Sequence, residues 1–193
     1  KGEPLEPVLA ALVERARAGV TVRVLLDKSF MPQTQPSLGV LEGVPNITIR
    51  VLPMDVLTGG VLHAKFLVVD TRQVFVGSQN LDWRSFEQIH ELGVRIDDVR
   101  FARTYTDVFN ALWKASRLPA PAKSLAHPGA TRDFIPVTAS EPVTLHGTDG
   151  DAVVAWPAFS PPALIPAGLN TEQTQLLKLI AGAKHALRIQ VMT

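Results

Sequence analysis

An α/β fold is the class this sequence predicts, from three stretches. From Pro4 to Ala18, Leu5, Leu9, Leu12, Val13 and Ala16 share one side of a helix. Gly19 then leads into a near-continuous apolar run from Val20 to Leu26, interrupted by Thr21 and Arg23, the pattern of a strand covered on both faces. Helix, glycine and buried strand make half of a βαβ unit. Val61 to Val76 carries branched and aromatic residues around a polar turn, Asp70 to Gln73, and reads as a hairpin. Phe101 to Ser116 repeats Phe101, Tyr105, Val108, Phe109, Leu112 and Trp113 at helical spacing.

Each further element has a local reason. Prolines near the start of the first helix fall where a missing N–H does least harm, and Gly19 suits its end. Lys28 to Asn46 holds Pro32, Pro36, Gly39, Gly43 and Pro45, which predicts loop with at most a short helical turn. Phe30 and Met31 within it either line a pocket rim or pin the loop down. Ile47 to Leu52 is a short strand, and Met54 to Gly60 a flexible lead-in ending in Gly59-Gly60. Asp82 to His90 reads as a short helix or turn. Glu91 to Ile96 alternates, with Leu92, Val94 and Ile96 expected on the core face. Asp97 or Asp98 is placed to cap the helix that follows.

From Leu118 to Pro142 the composition shifts to prolines among small and polar residues, the mark of a linker; His127 within it looks inert. Val143 to Trp156 then reads as a hairpin turning at Thr148-Asp149-Gly150, and Pro157 to Pro166 as a proline-rich loop. Asn170 or Thr171 is expected to cap a helix over Glu172 to Lys184, before an apolar strand from Leu187 to Met192.

Composition narrows the function. With 193 residues, 46% of them hydrophobic, the chain can bury a sizeable core. Nineteen basic and 18 acidic residues, for a net charge of +1, provide no basic stripe that advertises nucleic acid. The absence of cysteine excludes disulfides and thiol chemistry. No run of about 18 apolar residues offers a membrane span. The chain starts at Lys1 and lacks a strand before its first helix, so it is expected to be a piece of something longer, with its compartment undetermined.

Chemistry concentrates at the hairpin. On an alternating strand His63 and Lys65 project to one side, while Asp70 falls on the other parity, where it braces the turn. Gly77 lets the return strand bend or approach a ligand closely, presenting Ser78 and Asn80 beside the first strand. A neutral imidazole is a nucleophile toward phosphorus, and a neighbouring ammonium neutralises non-bridging phosphate oxygens. Ser78 and Asn80 add neutral donors for the same oxygens. Arg84 is either an anion clamp or half of a structural ion pair, with Trp83 as core filler. His90 reads as a surface residue, and His146 has no lysine two residues on.

The pattern His63-x-Lys65-x-x-x-x-Asp70, then Gly77-Ser78-x-Asn80, resembles the signature of the phospholipase D superfamily. Leu81-Asp82-Trp83-Arg84-Ser85 and Glu91-Leu92-Gly93-Val94 resemble one branch in particular: the endolysosomal phospholipase D-like exonucleases, the poxvirus envelope phospholipases and their bacterial relatives. The resemblance runs from about Pro7 to the end and is strongest over residues 61–96. It implies a phospholipase D-like mixed sheet flanked by helices, in an incomplete pseudo-twofold molecule. Residues 1–117 would form most of the first half, 118–142 the linker, and 143–193 the opening of the second.

The resemblance further implies a phosphodiesterase working through a phosphohistidine, with His63, Lys65 and Asp70 as the catalytic motif. Lys65, Ser78 and Asn80 would hold the substrate phosphate. Glu91 would orient the imidazole, although an ordinary surface glutamate fits its position equally well. No metal and no cofactor is implied. The implied partners are a phospholipid or single-stranded nucleic acid substrate, a peripheral contact with a membrane, and a second motif from the same chain. The alternatives are a cardiolipin-synthase-like transferase and a binding module without turnover.

Overall fold

A computed structural model describes residues 4–117 and 132–190. His127 and most of the expected linker lie outside the described residues. The chain opens with helix α1 (Glu6–Arg17) and strand β1 (Val22–Asp27), which pairs in parallel with β2 (Ile47–Leu52). One face of this pair carries Val24, Leu26, Ile47 and Ile49, which pack with Leu5, Leu9, Leu38 and Leu41. Leu25 and Leu52 on the other face pack against Val108, Leu112 and Ala115 of helix α5 (Val99–Ala115). Both faces are covered, which is why β1 is apolar with so little alternation.

Between β1 and β2 the structure departs from the expected loop. Helix α2 (Met31–Leu38) runs there, with single 3-10 turns at Lys28–Phe30 and Gly39–Leu41. Pro32 is tolerated because it falls in the first turn, where no intrahelical N–H bond is required. Leu38 and Leu41, each 1% exposed, anchor the segment against α1. The expected flexible lead-in likewise contains a short helix, α3 (Met54–Thr58), closed by Gly59 at φ 74°.

A second, antiparallel sheet follows: β3 (Lys65–Val69), β4 (Gln73–Gly77) and β5 (Gly93–Asp97), in that order. Parallel and antiparallel strands are thus both present, but their hydrogen bonds divide them into separate sheets rather than one. Asp70 and Thr71 turn β3 into β4 with φ of 52° and 53°, and Arg72 N–H donates to the Val69 carbonyl at 2.9 Å. Two successive left-handed residues twist the turn to suit the strands. Helix α4 (Trp83–Glu87) lies between β4 and β5, capped by Asp82, whose carboxylate accepts from the N–H groups of Arg84 and Ser85.

Helix α5 is the spine of the molecule. Asp98 caps it through a 2.7 Å bond from Phe101 N–H, so of the two candidates Asp98 is the cap. Phe101, Ala102 and Tyr105 pack under Val74 and Ile96 of the antiparallel sheet, while Val108 and Leu112 face the parallel pair. Ile96 is buried as alternation requires, but Leu92 and Val94 are 73% and 57% exposed. Their parity is right; from Ile96 α5 runs on beneath Phe66 and Val76 of the neighbouring strands, so the edge strand is left open at Val94 and beyond.

From residue 132 onward the chain packs on α5 and joins the same core cluster as the antiparallel sheet, through Val137, Val143 and Phe159. Arg132 pairs with Asp107 at 2.7 Å, and Val137, 1% exposed, donates its N–H to Thr104 Oγ1 at 3.0 Å. Strands β6 (Val143–His146) and β7 (Ala152–Ala155) form the expected hairpin, with Gly150 at φ 88° in its turn. Helix α6 (Glu172–Ala181) follows. Neither expected residue caps it with a side chain: Asn170 Oδ1 instead accepts from Ala139 N–H, and the Thr171 hydroxyl donates to Thr174. Residues 187–190 form no strand among the described residues, because no partner strand lies beside them. No helix among the described residues is long and apolar enough to cross a membrane.

Candidate active site

The site begins at the end of β1, where the chain before β3 is tied back to it. Asp27 ends β1 and is only 6% exposed, yet it is fully engaged. One carboxylate oxygen accepts from Ser29 N–H and the other from Leu62 N–H, both at 2.6 Å. The second bond reaches across 35 residues and pins the chain one position before His63. This also explains why the expected strand from Val61 starts only at Lys65: Gly77, the last residue of β4, pairs with Lys65, and the preceding residues follow Asp27 instead.

His63 is exposed, and Lys65 is half-buried beside it. The Lys65 ammonium lies 3.1 Å from Nδ1 and 3.2 Å from Nε2 of the imidazole. A point equidistant from both nitrogens cannot lie along the lone pair of either, so the contact fixes proximity and leaves the tautomer open. Burial holds the Lys65 ammonium below the usual lysine range, and the Glu91 carboxylate partly opposes that shift. A desolvated cation of this kind gains when an anion arrives beside it.

The return strand supplies a close-packed flank. Lys65, Gly77 and Gly93 sit opposite one another across β3, β4 and β5. A Cβ on Gly77 would lie 2.7 Å from the Leu92 carbonyl oxygen and 3.1 Å from the Gly93 Cα, so only glycine fits. Gln79 folds back over this glycine pair, with its side-chain oxygen buried and unpartnered among the described residues. The Ser78 hydroxyl donates to Glu91 at 2.5 Å and accepts from Leu92 N–H at 3.0 Å. Its bonding is therefore spent on the loop before β5. Asn80 donates its backbone N–H to Ser85 Oγ, leaving its exposed side-chain amide without a hydrogen bond among the described residues.

Asp70 stands apart from the other candidates. It lies in the turn at the far end of β3, roughly 17 Å along the strand from Lys65 at the usual rise per residue. Glu91 bonds Ser78 and makes no hydrogen bond to His63 among the described residues. Arg84 pairs with Asp82 at 3.6 Å, and Trp83 packs beside the Leu5, Leu38 and Leu41 cluster, the structural alternative for both. Phe30 and Met31 line no part of the cavity beside His63. His90 and His146 are exposed. Among the described residues no group of three or more His, Asp or Glu side chains converges as a metal site.

Sequence reasoning passed over the other wall of the site. A cavity of about 340 Å³ opens beside His63 and Lys65, walled by Tyr105, Val108 and Leu112 of α5 and by the loop containing Phe159 and Leu164. Ser160 and Glu172 also reach it, joined by a 2.8 Å bond from the serine hydroxyl to the carboxylate. No motif marks these residues, and only the packing of the 158–165 loop on α5 brings them to the hairpin. The aspartate closing the apolar run Val24-Leu25-Leu26-Asp27 was the one legible signal for Asp27.

Tyr105 in the cavity wall meets Phe66, Phe101 and Phe159, and burial raises its phenol to about 12. An acid whose folded pKa exceeds its unfolded value near 10 adds stability below that value and loses it as pH rises toward the folded one. The protein should therefore lose on the order of 2–3 kcal/mol between about pH 10 and 12. Tyr105→Phe should flatten that part of the profile in urea titrations; an unchanged slope would assign the alkaline loss to other groups.

Comparisons with known proteins found relatives along most of the chain. Residues 4–113 match the family described as "Cardiolipin synthase, PLD-like domain". The chain is 36% identical over 189 residues to the 5′-3′ exonuclease PLD3 of Bos taurus, covering 97% of this chain and 37% of that protein. It is 32% identical over 189 residues to the 5′-3′ exonuclease PLD4 of Mus musculus, covering 97% and 36%. The chain thus spans little more than a third of the length of these relatives. Among solved structures, NucT from Helicobacter pylori superimposes with a TM-score of 0.52 at 21% identity, over 57% of this chain and 72% of that one.

Proposed function

This chain belongs to the phospholipase D superfamily, and from that premise we propose that it contributes one half-site of a phosphodiesterase acting on nucleic acid. The observation that carries this reading is the imidazole of His63 within 3.2 Å of the Lys65 ammonium, at the mouth of a cavity. Lys65 holds the non-bridging oxygens of the substrate phosphate and offsets the charge that gathers on them in the transition state. One nitrogen of His63 either forms the bond to phosphorus while the ester P–O bond breaks, or donates its proton to the departing oxygen. The matching His-Lys pair takes the complementary role on the opposite side of phosphorus. Water then attacks the phosphohistidine, giving a phosphate monoester and restoring the imidazole.

Asn80, with its amide unengaged, supports the reading as a second donor to the phosphate. Ser78 and Glu91 act one step back: together they fix the loop beside Lys65, and the Glu91 charge favours the ammonium form. Asp70 serves the hairpin turn. Nucleic acid is favoured over phospholipid because PLD3 and PLD4 carry exonuclease in their names.

The experiment is to assay the protein carrying both His-Lys pairs against a single-stranded oligonucleotide and phosphatidylcholine vesicles, with and without EDTA. Because Lys65 supplies the positive charge, hydrolysis of the oligonucleotide should persist in EDTA. Activity that disappears and returns only with a divalent cation would overturn the mechanism. Transfer to an added alcohol in preference to water would instead favour a phosphatidyl transferase.

A further inference from the structure

We propose that Arg23, Arg50 and Arg117 form an anion site, away from His63 and Lys65, that takes backbone phosphates of a single-stranded nucleic acid outside the bond being cleaved. This deepens the phosphodiesterase reading and rests on it for the choice of nucleic acid. A net charge of +1 hides the cluster, because its members are far apart in sequence and meet only where α5 lies across β1 and β2. Arg23 and Arg50 project from the face of the parallel pair that meets α5. There the rings of Phe109 and Trp113 stack with centroids 5.5 Å apart. The Arg50 guanidinium carbon lies 4.1 Å from the Trp113 ring centre, and that of Arg23 lies 4.9 Å from Phe109 and 5.5 Å from Trp113. Each also gives one N–H to α5: Arg50 to the Trp113 carbonyl at 2.8 Å, Arg23 to Asn110 Oδ1 at 3.0 Å.

Ring contacts explain how two guanidiniums are held, but not why a third joins them with no acid beside it. None of the three pairs with a carboxylate among the described residues, and residues 118–131 contain neither Asp nor Glu. Partial burial, and after it the charges of Arg117 and Arg23, lower the Arg50 pKa from the usual arginine value. Like charges left facing one another cost free energy, and an arriving anion relieves that cost. Planar forks already fixed against rings present their remaining N–H groups to phosphate oxygens with little further ordering. Thr48, opposite Arg23 in the ladder, adds an exposed hydroxyl without a hydrogen bond among the described residues. Place then selects the ligand. Arg23 lies roughly 13 Å along β1 from Asp27, the residue that ties down Leu62 beside His63. A strand of several nucleotides with its reacting phosphate on Lys65 spans that interval, whereas the headgroup of one phospholipid does not.

The test measures fluorescence anisotropy of a labelled single-stranded oligonucleotide of about 12 nucleotides, and of a dinucleotide, across a range of salt. It uses the protein carrying both His-Lys pairs, with His63→Asn so that the strand stays uncut. Adding Arg23→Gln and Arg117→Gln together should weaken the longer strand tenfold or more with the thermal midpoint unchanged. The slope of log affinity against log salt should become shallower by about 1.4, since each phosphate contact to a single strand contributes about 0.7. Arg23→Lys with Arg117→Lys keeps the charge and should recover most of the slope. The dinucleotide, too short to reach the cluster, should bind all of these proteins alike. Unchanged affinity and slope for the longer strand overturn the site, and so does an equal loss for the dinucleotide, which would place the effect at Lys65. Phosphatidylglycerol vesicles whose binding depends on the arginines, with oligonucleotide binding unaffected, overturn it in favour of a lipid surface. Should the protein with His63 intact cleave no phosphodiester, the functional reading fails, and the anisotropy comparison still decides the anion site by the same criteria.

Discussion

In the protein carrying both His-Lys pairs, replacing His63 by Asn should lower turnover by about four powers of ten or more while leaving the fold intact. The side chain is exposed and its only hydrogen-bonding neighbour among the described residues is Lys65, so its removal leaves no buried group unsatisfied. Thermal midpoint and far-ultraviolet dichroism should match the unaltered protein. Residual activity within tenfold would mean that His63 neither attacks phosphorus nor protonates the leaving oxygen. Adding imidazole to the variant offers a second reading, since a small nucleophile restored to the gap should recover part of the rate.

The second large effect is expected at Asp27, and it falls first on stability. Asp27→Ala removes two charge-assisted bonds of 2.6 Å and leaves the N–H groups of Ser29 and Leu62 without their acceptors. At roughly 1.5–3 kcal/mol per bond to a charged group, the loss should be about 3–6 kcal/mol. Asp27→Asn keeps one acceptor and should cost about half as much. Both variants should also lower kcat more than they raise KM, because Leu62 positions His63 rather than the phosphate. Asp70→Asn provides the contrast. Asparagine tolerates the positive φ of this exposed turn as well as aspartate does, so stability should change by no more than about 0.5 kcal/mol. Urea denaturation of the three variants checks the order, and an Asp70 effect as large as that of Asp27 would place a missing partner at the turn.

What the sequence could reveal depended on how local each cause was. The hairpin was legible because branched and aromatic residues fill both strands and a polar tetrapeptide separates them, all within 16 residues. The His63–Lys65 proximity follows from a spacing of two, and α5 from its own periodicity. Where the cause lay far along the chain, the reading stopped. Nothing in Val61 to Ala64 indicates that a carboxylate 35 residues earlier captures Leu62. Leu92 and Val94 carry the alternation of a covered strand, but α5 passes from Ile96 to beneath Phe66 and Val76 and leaves this end of the edge strand uncovered. Proline count argued for a loop at residues 28–46, whereas Leu38 and Leu41 had enough apolar surface to fold it as helix against α1. The cavity wall formed by Phe159, Leu164 and Glu172 was hidden for the same reason, since it exists only once the 158–165 loop lies on α5.

The bond from Leu62 to Asp27 has a consequence for how the site breathes. Leu62 belongs to no helix or strand, yet its amide proton is held by a buried carboxylate and should exchange with solvent deuterium only when the end of β1 opens. The amides of Val61, His63 and Ala64 find no backbone partner among the described residues and should exchange freely. One protected proton between unprotected neighbours describes a segment fixed at a single point, about which His63 can pivot while Lys65 stays clamped in its ladder. In exchange spectra the histidine would then register as mobile beside a stationary cation, its ring free to turn while the ammonium keeps its place in the sheet.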